Sequence, residues 1–315
     1  MKHTYGIAVP TFNGCHRVDV LLTCLDKAPS TATVHRKIVV EDKMPDHMES
    51  TANHAGLVAA VARHPGWELI TLDKWSNMQG TAQKCMELCD TEFVFMISDD
   101  IACVGDPLRH FINYAENADN DIVEHIGGAA LPIMHANTHL LNAGVFTFGT
   151  HWNTIQQFYA DPLNTWLKDM QPIHYDTRWP QVPIISGQFN GAAFVLARKA
   201  WQEIGGFDLS WDVLDQYISY QIYFKTKYFI LIINGDPFFH AGGCAQNGGW
   251  DELRARSKHA HSDERCREIF GDWIAETETR AREIAEKRQM EWGNTILKDF
   301  YKNLENSRIY QWRYV

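Results

Sequence analysis

The stretch that decides the fold lies between residues 190 and 240. It opens N-G-A-A-F-V-L-A-R-K-A-W-Q-E-I-G-G-F-D over 190–208 and closes I-I-N-G-D-P-F-F-H over 232–240. An apolar strand carries small residues at its start and Arg198-Lys199 at its end. A short helix follows and stops at Gly205-Gly206. Phe207-Asp208 leads into an acidic, aromatic helical segment holding Asp212 and Asp215, and His240 ends a second strand. A carboxylate able to take a proton and an imidazole able to hold a metal thus fall on two successive elements, an order that points to an enzyme.

Upstream, strand-like and helix-like patterns alternate. Tyr5–Pro10, Lys37–Val40, Trp67–Leu72 and Glu92–Ile97 read as strands. Cys15–Lys27, Asn53–Arg63, Gln79–Cys89 and Asp106–Asn117 read as helices, with Asp106 as N-cap and Pro107 at the first position of the last. Continuous apolar strands separated by helices of this length predict parallel βαβ units buried on both faces. The fold class is therefore α/β, a Rossmann-like, mostly parallel central sheet flanked by helices. Ligands of such a sheet gather at the carboxyl ends of the strands. Those ends carry Pro10, Thr11 and Asn13, then Glu41 and Asp42, then Asp73, then Ser98, Asp99 and Asp100. No G-x-G-x-x-G or G-x-x-x-x-G-K-[ST] follows any strand, so a phosphate ligand needs a metal ion to neutralise it.

Composition narrows the classes. The chain has 315 residues, 45% of them hydrophobic, which is enough for a sizeable core. A formal net charge of −10 disfavours a broad nucleic-acid face or an anionic membrane. No apolar run is long enough to span a membrane and no signal peptide is evident, so a cytoplasmic location is expected. Cysteines stand at 15, 24, 85, 89, 103, 244 and 266, and an odd count within core-like segments predicts free buried thiols.

Asp99 and Asp100 end a strongly apolar strand. Adjacent carboxylates there are costly unless a cation neutralises them, and hard oxygen ligands suit Mg²⁺ or Mn²⁺. Adding His240 to that set favours Mn²⁺. Asp212 and Asp215 are three residues apart and share one side of a helix, with Asp215 preferred as general base.

Residues 130–186 are irregular and rich in Pro, His and aromatics, and read as an insertion covering the site. Residues 262–288 read as one amphipathic helix capped by Ser262, able to dock on the core or form a homodimer face, and Thr295–Leu304 reads as a last short helix.

Taken in order, I-A-V-P-T-F-N-G, I-V-V-E-D, F-V-F-M-I-S-D-D, S-G-Q-F-N-G-A-A-F-V-L-A-R, E-I-G-G-F-D and the closing F-F-H resemble a family 2 glycosyltransferase with the GT-A fold, over roughly residues 5–245. The resemblance implies a nucleoside-diphosphate-sugar donor (UDP-sugar foremost), Mn²⁺ or Mg²⁺, and inversion at the anomeric carbon. It implies a GT-A domain over 1–250, with 1–125 as nucleotide-binding half and 126–250 as acceptor half, followed by a helical extension over 251–315. It sets Pro10, Thr11 and Asn13 by the nucleoside and Glu41 or Asp42 on the base or ribose. Asp99 and Asp100 stand at the end of the D-x-D metal motif, Asp215 at the base, and His240 at the histidine that completes the metal site in some members. Ser98 replaces the first Asp of D-x-D, Leu214 replaces the Glu before the base, and Gln221 and Lys225 stand where an Arg-rich acceptor signature is found.

The expected activity is hexosyl or pentosyl transfer to a glycan or other hydroxyl-bearing acceptor. Three alternatives stay open: the same chemistry on a hydroxylated base in DNA, a sugar-1-phosphate nucleotidyltransferase, and a non-catalytic module that binds nucleotide sugar or glycan.

Overall fold

A computed structural model of the chain describes residues 1–12, 14–43, 51–103, 105–135, 183–189, 191–210, 214–233, 235–236, 238–240 and 262–306. Most of the expected insertion, 136–182, lies outside them.

The first half follows the predicted alternation. Strand β1 (Tyr5–Thr11) is followed by α1 (Cys15–Lys27), β2 (Arg36–Glu41), α2 (Thr51–Ala62), β3 (Glu68–Thr71), α3 (Asn77–Leu88) and β4 (Phe93–Ile97). Val18, Leu21, Leu22 and Leu25 of α1 are fully buried, as their spacing requires. Every residue of β1 and of β4 is buried, because helices cover both faces of these strands. β1 pairs in parallel with β2 on one side and β4 on the other, and β2 with β3. Pro10 fits within β1 because the ladder to β4 ends at Ala8 opposite Met96, leaving no partner for the missing N–H.

The chain continues through β5 (Ile101–Cys103), α4 (Arg109–Asn117), α5 (Asn120–His125), β6 (Ile126–Ala130), β7 (Ile133–His135), β8 (Ile184–Ser186) and β9 (Ala193–Ala197). Helices α6 (Arg198–Ile204) and α7 (Leu214–Lys225) precede β10 (Phe229–Ile232) and β11 (Phe238–His240). The main sheet has the order β3-β2-β1-β4-β9-β6-β10-β8. β9 runs antiparallel to both β4 and β6, so the sheet is mixed but mostly parallel. This reversal sets the start of β9 beside the end of β4. A second sheet, β5-β11-β7, stands at that same end of β4.

Three local expectations are corrected. α4 begins at Arg109, with Leu108 rather than Asp106 as N-cap. The Asp106 carboxylate instead accepts from Ser30 N (3.0 Å) and Ser30 Oγ (2.8 Å), so a distant partner takes the oxygen that a cap needs. The helix expected over 262–288 is two helices. Ser262 does cap α8 (Asp263–Phe270), accepting from Arg265 N at 3.1 Å. Gly271 then enters the left-handed region at φ 85° and ends it. α9 starts at Ile274, whose N–H donates to Asp263 Oδ1 at 3.0 Å, and runs unbroken to Asn306. The short helix expected over Thr295–Leu304 is its last part. Thr277, Ala281, Ala285, Ile296 and Phe300 keep one buried seam along α9. Its Gln289 accepts from Ile185 N at 2.7 Å, which joins the extension to β8.

Cys24, Cys85, Cys89, Cys103 and Cys266 are free and buried, as predicted for core thiols. Among the described residues no helix is long and apolar enough to cross a membrane.

Candidate active site

The carboxyl ends of β1, β2 and β4 and the start of β9 form one edge. Thr11, Glu41, Asp42, Ser98, Asp99, Asp100 and Asp215 lie there, in three separate sets of hydrogen bonds.

Asp99 is the centre of the first set. It lies just past the end of β4 and is 7% exposed. Its Oδ2 accepts from Thr11 Oγ1 at 2.5 Å and from Arg17 Nη2 at 3.2 Å. Burial pushes its carboxyl up from the ordinary value, and the Arg17 guanidinium opposes that shift. A Cβ added at Gly14 would lie 1.9 Å from Asp99 Oδ2 and 2.5 Å from Thr11 Oγ1, so only glycine lets the β1–α1 turn approach so closely. Asp100, also 7% exposed, accepts from Ser98 Oγ at 2.5 Å. Ser98, the departure from the motif, therefore binds the carboxylate two residues on.

The second set belongs to β2. Glu41 Oε2 is shared by His54 Nδ1 and Thr71 Oγ1, each at 2.8 Å. Asp42 Oδ1 accepts from Ser76 N at 2.9 Å and Ser76 Oγ at 3.0 Å, fastening the start of α3. Burial raises Asp42 to about 6 despite these bonds. Asp73 lies exposed on the loop between β3 and α3.

The third set brings in Asp215, in the first turn of α7. Gly191 N donates to Asp215 Oδ2 at 3.0 Å, and Ser98 N donates to the carbonyl of the next residue, Ala192, at 2.8 Å. Ser219, one turn on in α7, donates to the Asp215 carbonyl at 2.5 Å and accepts from Phe189 N at 3.0 Å. The strand entering β9 is thus held by α7 on one side and by the Ser98–Asp100 turn on the other.

His240 reaches this edge through the small sheet. Its Cα is paired with Ile101, the residue after Asp100, and with His135 of β7. The side chain of His240, and all of Asn13 and Asp212, lie outside the described residues. Among the described residues no group of three His, Cys, Asp or Glu side chains is arranged to hold a metal.

Arg17, Gly14, His54, Thr71, Ser76 and Gly191 were not assigned from sequence. Arg17 carries the clearest missed signal. It is the one residue of fixed positive charge in the first turn after P-T-F-N-G, where a helix start meets the sheet edge.

No protein-family model matches the chain, and no curated protein matches it in sequence. Among solved structures it is similar to the mannosyltransferase PcManGT from Pyrobaculum calidifontis in complex with GDP-Man and Mn2+, at TM-score 0.54 and 13% identity, over 98% of this chain and 76% of that one. S. aureus TarS 1-349 matches at TM-score 0.48 and 11% identity over 80% of this chain, which spans 64% of the TarS chain. GalNAc-T7 with UDP, GalNAc and Mn2+ matches at TM-score 0.47 and 10% identity, over 76% of this chain and 44% of that one. The likeness to PcManGT shows the fold: this chain has the GT-A fold of glycosyltransferases, while the narrower family 2 resemblance rests on its motifs alone.

Proposed function

We propose that the chain is a metal-dependent, inverting glycosyltransferase that moves a sugar from a nucleoside-diphosphate donor to an acceptor hydroxyl. One observation carries this reading: neighbouring residues Gly191 and Ala192 bind Asp215 on one side and the Ser98–Asp100 turn on the other. A proton acceptor and a buried pair of acidic residues are thereby fixed relative to one another across a single strand. Inverting transfer needs that pairing, with a base for the attacking hydroxyl and neutralisation for the departing diphosphate.

The residues fit a divalent cation. Asp99 and Asp100 are buried, adjacent and oxygen-bearing, and burial already disfavours the charged Asp99. Asp99, Asp100 and His240 would hold the ion, with Mn²⁺ preferred over Mg²⁺ by the imidazole. When bound, the ion neutralises the diphosphate and makes it a better leaving group.

The chain's own groups perform the remaining tasks. Thr11 orients Asp99 through its 2.5 Å bond. Glu41 and Asp42, with Pro10 and Thr11 at the end of β1, would receive the nucleoside, Asn13 and Asp73 are proposed to join them, and Ser98 keeps Asp100 in place. Asp215 Oδ2 is fixed by Gly191 N, and the carboxylate takes the proton as the acceptor oxygen attacks. PcManGT, which shares the fold, was solved with a nucleotide-sugar and Mn2+, and that agrees with this donor class. The donor is a UDP- or GDP-sugar, and the acceptor a glycan or other hydroxyl compound.

A thermal-shift panel of nucleotide sugars with and without Mn²⁺ tests the reading. Ligands that bind only the native state raise its stability by mass action. Stabilisation by one nucleotide sugar, dependent on Mn²⁺, is expected. No shift with any nucleotide sugar at millimolar concentration refutes it.

A further inference from the structure

We propose that Arg17 couples metal binding to donor binding: its guanidinium holds Asp99 in the donor-free protein and passes to the donor diphosphate when metal and donor arrive together. The inference rests on the nucleotide-sugar reading above and adds a residue and an order of events to it.

The argument starts from one oxygen. Asp99 Oδ2 already has two donors, Thr11 Oγ1 at 2.5 Å and Arg17 Nη2 at 3.2 Å. A cation approaching this carboxylate meets a guanidinium already in the place a ligand shell needs. Like charges at such range repel strongly where water is scarce, and the Asp99 and Arg17 side chains are only 9% and 17% exposed. Metal alone should therefore bind weakly.

Asp99 itself has little freedom to yield. Gly14 presses so closely that even a methyl group would collide with Oδ2, and the Thr11 bond is short. Of the two donors on that oxygen, Arg17 makes the longer bond. Its bonds to Asp99 and to the Phe12 carbonyl are 3.2 and 3.3 Å, long against the roughly 2.7–2.9 Å of a strong charge-assisted pair. Its base is the third residue of α1, a 13-residue helix whose first turn holds no acidic residue and whose N-cap makes no side-chain bond. That helix end favours an anion, and a guanidinium at its rim matches a phosphate in geometry as well as charge. A diphosphate would draw Arg17 away from Asp99 and leave the carboxylate to the metal. Each ligand then assists the other, by equal factors as linkage requires.

Mn²⁺ binding, followed by electron paramagnetic resonance, tests this on wild type, Arg17→Met and Arg17→Lys, each alone and with UDP or GDP. Circular dichroism and thermal melting establish that each variant folds. Wild type should bind Mn²⁺ about tenfold or more tightly once its preferred diphosphate is present. Arg17→Met should bind Mn²⁺ alone about fivefold more tightly than wild type and lose most of the enhancement, while Arg17→Lys keeps part of it. A structural role for Arg17 would weaken Mn²⁺ binding in Arg17→Met, and that result overturns the proposal. Should Arg17→Met not fold, wild type still decides: equal Mn²⁺ affinity with and without diphosphate overturns the coupling. If wild type binds neither diphosphate even with Mn²⁺, the donor reading falls and the coupling with it. If it binds diphosphate without enhancement of Mn²⁺, only the coupling falls.

Discussion

Gly191 N–H donates to Asp215 Oδ2 at 3.0 Å, so the proposed base is aimed by the backbone of the strand that also receives Ser98. Asparagine at this position keeps a carbonyl oxygen for Gly191 but cannot take a proton. Asp215→Asn should lower kcat by about 10²–10⁴-fold while donor affinity stays near that of wild type. Transfer kinetics and donor titration on the same sample check both halves. Unchanged turnover contradicts the assigned base.

Gly14 gives a steric prediction. A methyl group there would collide with Asp99 Oδ2 and Thr11 Oγ1. Gly14→Ala should cost about 1–3 kcal/mol of stability, as overpacking does, and should abolish Mn²⁺ binding by displacing Asp99. Denaturant unfolding measures the first and paramagnetic resonance the second. A variant as stable as wild type with intact Mn²⁺ binding would show that the turn has room.

Asp42 gives a pH prediction. Its carboxyl is raised from 3.8 to about 6, so between these values the folded state holds more protons than the unfolded chain. Stability from this group is complete below about pH 4 and is lost as pH rises through about 6. The full effect is on the order of 3 kcal/mol. Asp42→Asn keeps an oxygen for Ser76 N and Oγ and removes the titration. Wild type should lose stability relative to Asp42→Asn as pH rises from 4 to 7, measured by urea unfolding at several pH values. Parallel curves would refute the shift.

Much of the sheet was legible because its strands are continuous apolar runs. Phe93–Ile97 and Ala193–Ala197 are buried throughout, and a sequence of that kind between helices has few other destinations. The acidic residues at strand ends were legible for the same reason, since a parallel sheet sends its loops to one edge. What could not be read were features fixed by distant partners. Asp106 looks like a cap, but Ser30 claims its carboxylate. The three-residue strands β5, β7 and β11 are too short to show alternation, yet they set His240 beside Ile101. Arg17 is an unremarkable helix residue until the fold brings Asp99 to it.

The break between α8 and α9 was hidden by apolar spacing that continues on both sides of Gly271. That glycine has φ 85°, and a Cβ there would meet nothing within 4 Å. The cost of Gly271→Ala is therefore conformational, about 1–2 kcal/mol. Gly271→Asn should cost less, because asparagine tolerates the left-handed region better. Thermal unfolding of the two variants checks the order, and equal stability of Gly271→Ala and wild type would refute the assigned turn.

Diffraction at the manganese edge, on crystals grown with Mn²⁺ and UDP or GDP, tests the central claim most directly. One manganese peak should lie within bonding distance of an Asp99 or Asp100 carboxylate and of the His240 imidazole, touching the diphosphate. A diphosphate bound at the strand ends with manganese elsewhere, or with His240 turned away from both carboxylates, would contradict the account.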